Sequence, residues 1–182
     1  MDRKKKIGLV VEGGGMKCAY NAGILDGFLD HGILFDYCIG VSGGAGNAAS
    51  YVAGQRGRNI RFFTEHIHST KYFGIRRLLA KGNLFGLQYI YGELTNSGGK
   101  DPLDFAAIMK SPAEYEVVAT NALTGEARYF GKEEMKQDDY RPIMASSAIP
   151  AACRPVVIDG VPYYDGGMYC KWMNTCHIYF HC

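Results

Sequence analysis

Long apolar runs are missing from this chain of 182 residues. Nothing in it approaches the ~18 continuous apolar residues that a membrane span requires. No export leader is expected: only Ile7 to Val11 separates the basic start, Met1 to Lys6, from Glu12 and three glycines, too short for a signal-peptide core. Proline is scarce, with six residues, and no period repeats, which excludes collagenous and low-complexity chains. Neither sign of charge dominates, because 20 basic and 18 acidic residues leave a net +2. That balance carries no electrostatic footprint for a nucleic-acid partner. A soluble, cytoplasmic protein is expected, and its six cysteines then read as reduced thiols.

What the chain has in excess is glycine, 24 residues, which points to tight turns and close backbone approaches. Ile7 to Val11 and Tyr37 to Val41 are short apolar runs closed by glycines, the pattern of buried parallel strands. Cys18, Ala22, Leu25 and Leu29 recur at helical spacing up to Gly32. Gly43 to Ala53 is built almost wholly of small residues, as suits a helix lying close on a sheet. Asp101 before Pro102, with Asp104 following, reads as a helix opening. Tyr115 to Asn121 with Ala127 to Phe130, and Pro155 to Ile158 with Val161 to Tyr164, read as two strand pairs around turns. Strand, helix, strand, helix at the start argues an α/β fold with a parallel sheet.

Three glycine-marked sites carry the chemistry. Gly40-Val41-Ser42-Gly43-Gly44 is a G-x-S-x-G between a strand and a helix. Such a turn lifts a hydroxyl clear of the sheet at a helix N-terminus, where backbone amides stabilise negative charge. Gly13-Gly14-Gly15-Met16-Lys17 is also a strand-to-helix turn, exposing successive amides that suit an anion. A dinucleotide fingerprint fails because its third glycine would fall on Cys18, and no P-loop lysine pair follows. A cradle for a transient oxyanion remains, with Lys17 beside it. The third is Asp165-Gly166-Gly167, a carboxylate at a strand end that glycines allow to approach neighbouring backbone closely.

In this order the three motifs resemble those of the patatin-like phospholipase family. Gly13 to Cys18 matches its G-G-G-x-R-G, Gly40 to Gly44 its G-x-S-x-G and Asp165 to Gly167 its D-G-[GA]. Ala145-Ser146-Ser147-Ala148-Ile149-Pro150 is similar to the family's stretch before the aspartate. The resemblance implies a three-layer α/β/α fold with a mostly parallel central sheet. It implies a lipid acyl hydrolase, of phospholipase A or esterase type, with Ser42 as nucleophile and Asp165 as general base. The amides of Gly13, Gly14 and Gly15 would form the oxyanion hole, supported by Lys17, Gly40, Gly43, Gly44, Gly166 and Gly167. The substrate would be a phospholipid or other acyl-ester lipid, cleaved through an acyl-Ser42 intermediate with no cofactor.

Two departures stand out. Lys17 and Cys18 occupy the places of the family's arginine and next glycine, and lysine lacks the planar fork of arginine. Residues 1–168 are expected to form the hydrolase domain without C-terminal elements the family normally has. Residues 169–182 form an atypical tail with three of the six cysteines, two of the five histidines and the only tryptophan. The spacing of Cys170, Cys176, His177, His181 and Cys182 matches no common metal signature, so no metal is expected. Two further readings stay open: a catalytically incomplete remnant, and a Ser-Asp-His esterase drawing its histidine from His177 or His181. The aromatic residues of 72–91, interleaved with Arg76, Arg77 and Lys81, suit peripheral contact with an anionic membrane. His31, His66 and His68 lack partner motifs and read as surface or packed residues.

Overall fold

The computed structural model describes residues 6–74, 78–80 and 82–168. Arg76, Arg77, Lys81 and the whole 169–182 tail, with His177 and His181, lie outside the described residues. Six strands form one sheet: β1 Gly8–Val11, β2 Tyr37–Val41, β3 Glu114–Asn121, β4 Ala127–Gly131, β5 Val156–Ile158 and β6 Val161–Asp165. β1, β2 and β3 run parallel, and β4, β6 and β5 add antiparallel pairings. The parallel half follows from the two helical crossovers between β1, β2 and β3. The antiparallel half is built from two hairpins.

The register positions the site. β3 carries β4 along one edge from Glu116 to Thr120. Its other edge is shared: β2 pairs as far as Val41 with Val118, and β6 takes over with Asp165 opposite Ala119. The C-terminal ends of β2 and β6 therefore meet head-on beside the middle of β3. Val117, Val118 and Ala119 are fully buried there.

Five α-helices are described: α1 Cys18–Asp30, α2 Gly43–Val52, α3 Arg58–Thr64, α4 Phe105–Lys110 and α5 Arg141–Ser146. A π-helical stretch, Gln88–Leu94, lies between α3 and α4. α2 settles closely on the sheet because Ala45, Ala48 and Ala49 are its inward residues, all buried in the main core with Leu9, Val11, Cys38 and Val117. The buried Tyr115 hydroxyl donates to the Ala45 carbonyl at 2.7 Å, so even this apolar seam leaves its polar group satisfied.

One helix start differs from expectation. α4 opens at Phe105, with Asp104 as its cap accepting the Ala107 amide at 2.9 Å. Asp101 is instead 4% exposed and bound by Arg61 at 2.7 Å and His66 at 3.0 Å. Buried beside it, Arg58 gives its guanidinium donors to Ser50, Thr95 and the Asp101 carbonyl. Two cations requiring a buried carboxylate outweigh a local capping preference. Cys18, Cys38 and Cys153 are buried free thiols. Among the described residues no helix is long and apolar enough to cross a membrane.

Candidate active site

Ser42 is the first residue past β2 and caps α2 with φ 55° and ψ −135°, a left-handed conformation that a serine adopts only under constraint. The glycines around it make this elbow sterically possible. A Cβ on Gly40 would stand 2.5 Å from the Ala45 Cα, and one on Gly44 2.3 Å from the Val11 carbonyl oxygen. On Gly43 a Cβ would meet the Cys18 sulfur at 2.9 Å. Cys18 therefore fills space under the elbow where the family motif has glycine. Burial pushes its thiol up to about 11, so it is an uncharged packing group at neutral pH.

Asp165 arrives from β6. Gly166 turns the chain against β3, where a Cβ would lie 2.2 Å from the Val118 carbonyl oxygen. The Gly167 amide donates to the carboxylate at 2.8 Å, and the Thr120 hydroxyl donates to the Asp165 carbonyl at 2.9 Å. Burial raises the Asp165 pKa, while hydrogen bonds from the Ser42 hydroxyl and the Gly167 amide work in the opposite direction. Desolvation wins, leaving a carboxylate more basic than an exposed one.

The glycine loop faces the same point. Gly13 lies against Ser42, while Gly14 and Gly15 take φ of 132° and 57°. All three lie beyond the ladder, which ends at Val11 opposite Gly40. Lys17 is exposed at the start of α1, its amide bonded back to the Gly14 carbonyl at 3.1 Å. The Asn47 amide on α2 donates to the Cys18 carbonyl at 2.8 Å, tying the end of the loop to the helix that Ser42 caps.

A cavity of about 460 Å³ opens beside Ser42, Gly15 and Gly43, within the size range of small-molecule sites. Its wall is mostly apolar and aromatic, including Phe62, Tyr72, Phe85, Leu87, Ile90 and Tyr91. Four of the aromatics from 72–91, Tyr72, Phe73, Phe85 and Tyr91, thus line the cavity. The Tyr91 hydroxyl contacts the Ser147 hydroxyl at 3.2 Å, and Ser147 donates to the Ile143 carbonyl at 3.1 Å. Sequence reasoning missed Ser146, whose Oγ accepts the Ser42 amide at 2.8 Å. Its signal was the Ala145–Pro150 stretch, noticed as a likeness and given no role. The site thus unites Ser42, Asp165 and the glycine loop, and leaves Lys17 at its margin.

Comparison with known proteins places this arrangement. The sequence model of the family described as Patatin-like phospholipase matches residues 9–171. The uncharacterized protein YjjU of Escherichia coli (strain K12) is 30% identical over 178 residues, covering 90% of this chain and 46% of its own. VipD from Legionella pneumophila shares the fold with a TM-score of 0.58 at 13% identity, over 92% of this chain and 47% of its own. The chain spans about half the length of these two proteins. With most of its length matched by the family model, the chain belongs to the patatin-like phospholipase family.

Proposed function

We propose that residues 1–168 form a lipid acyl hydrolase working by a Ser42–Asp165 dyad. The observation that carries this reading is that the ends of β2 and β6 bring Val41, next to Ser42, and Asp165 to successive places along one edge of β3, with Ser42 lining an apolar cavity of about 460 Å³. Asp165 accepts the Ser42 proton as Oγ attacks the ester carbonyl, and the amides of Gly13, Gly14 and Gly15 stabilise the oxyanion that forms. The tetrahedral intermediate collapses, the alcohol leaves with the proton held by Asp165, and an acyl-Ser42 ester remains. Water, deprotonated by Asp165, then releases the fatty acid. An exposed carboxylate is a weak base for a hydroxyl, so desolvation of Asp165 and the oxyanion cradle supply much of the rate.

The acyl chain of a phospholipid or similar lipid occupies the aromatic cavity. Peripheral membrane contact is proposed around Phe73, 50% exposed, and Leu79, 83% exposed. A fluorophosphonate probe tests the nucleophile. Labelling at Ser42, lost in Ser42→Ala, is expected together with hydrolysis of an acyl ester. A folded chain that leaves the probe unreacted overturns the reading.

A further inference from the structure

The stretch Ala145–Pro150 has no part in the reaction described above, yet its first turn holds both reacting residues. β2 pairs with β3 only as far as Val41, and the next β3 residue, Ala119, pairs with Asp165. The Ser42 amide therefore has no partner on that strand. It donates instead to the Ser146 hydroxyl oxygen at 2.8 Å. Two residues on, the Ala148 carbonyl oxygen accepts the Asp165 amide at 2.9 Å. Ser146 and Ala148 are both fully buried, and between them Ser147 lines the cavity. Two strands running in opposite directions thus end on one short turn.

We propose that the Ser146–Ala148 turn is the clamp that sets the Ser42–Asp165 geometry, with Ser146 as a positioning residue acting through the Ser42 amide. This rests on the dyad reading. Backbone in the left-handed region persists only where surrounding contacts over-determine it. At Ser42 the Ser146 oxygen is such a contact, since without it a half-buried amide is left unpaired. Small displacements of a nucleophile cost large factors in rate, so the loss should appear in turnover and not in substrate binding.

The test measures kcat and KM on a short acyl ester, and the fluorophosphonate labelling rate, each per folded molecule. In Ser146→Ala, kcat and labelling are expected to fall about a hundredfold with KM unchanged. Ser146→Cys fills nearly the same space with a weak acceptor, and is expected to fall almost as far. It carries the test alone if the alanine variant does not fold. A cysteine variant as fast as the unmodified chain overturns the clamp, because packing would then suffice. Labelling absent from the unmodified chain overturns the dyad reading and the clamp with it. Labelling present there and unaltered in both variants overturns the clamp alone.

Discussion

Gly13 lies so close to Ser42 that a Cβ on it would stand 2.4 Å from the Ser42 Cβ and 3.1 Å from its Oγ. Two glycine substitutions should therefore diverge. Gly13→Ala must displace the elbow, and is expected to lower turnover about a hundredfold. Gly23→Ala, inside α1 with nothing within 4 Å of the new carbon, should stabilise the fold by roughly 0.5–1 kcal/mol. Ester hydrolysis and denaturant titration of the two variants check both statements.

Asp165→Asn is expected to remove nearly all turnover, because asparagine cannot take the Ser42 proton. It should leave the thermal midpoint equal or higher. Burial raises the Asp165 pKa in the folded state, so the protein holds that proton longer than the unfolded chain does. Stability from this group is present at low pH and is lost as pH rises from about 3.9 through the raised value. At neutral pH the ionised carboxylate is then a net cost, which asparagine relieves. A clearly lower midpoint would contradict this.

The same shift sets the pH–rate profile. Activity should decline on the acid side around an inflection above the usual carboxylate value of about 3.9, since Asp165 must be ionised to act as base. No inflection near 6.5, where histidine titrates, is expected from a Ser–Asp dyad. An inflection there that vanishes in a His177→Ala, His181→Ala double variant would replace the dyad with a triad.

Asp101→Ala should destabilise the fold by about 3 kcal/mol, read by urea titration, because it takes the counter-charge, 3.7 Å away, from the buried Arg58 guanidinium. Burial alone would raise the Asp101 pKa, but hydrogen bonds from Arg61 and His66 and the charge of Arg58 outweigh it and hold it low. Its contribution is therefore present above the unfolded value near 3.9 and lost as pH falls through the lowered one. The unmodified chain should lose stability in acid more steeply than the variant.

Leu79→Ser should weaken binding to anionic vesicles by roughly fivefold, about 1 kcal/mol, if its side chain enters lipid. Vesicle co-sedimentation measures this directly. Unchanged binding would remove Leu79 from the membrane-facing surface.

The sequence by itself made the strands and the elbow legible, and its likeness to the patatin-like motifs named the candidate site residues. Apolar runs closed by glycine have few conformations open to them, which is why Tyr37–Val41 and the turn at Ser42 were legible. The three motifs marked Ser42, Asp165 and the glycine loop, because close backbone approach requires glycine wherever it occurs. What no local pattern carried was the meeting of these parts. That Val41 and Asp165 occupy successive places along one edge of β3 is a matter of register between distant strands. Asp101 read as a helix opener and became the partner of Arg58, Arg61 and His66, a pairing that exists only once α3 and the loop before α4 are packed together. Ser146 looked like one serine among several until folding left the Ser42 amide without a strand to bond. Buried charges and amides must find partners wherever the fold brings them, so those partners were decided by tertiary structure.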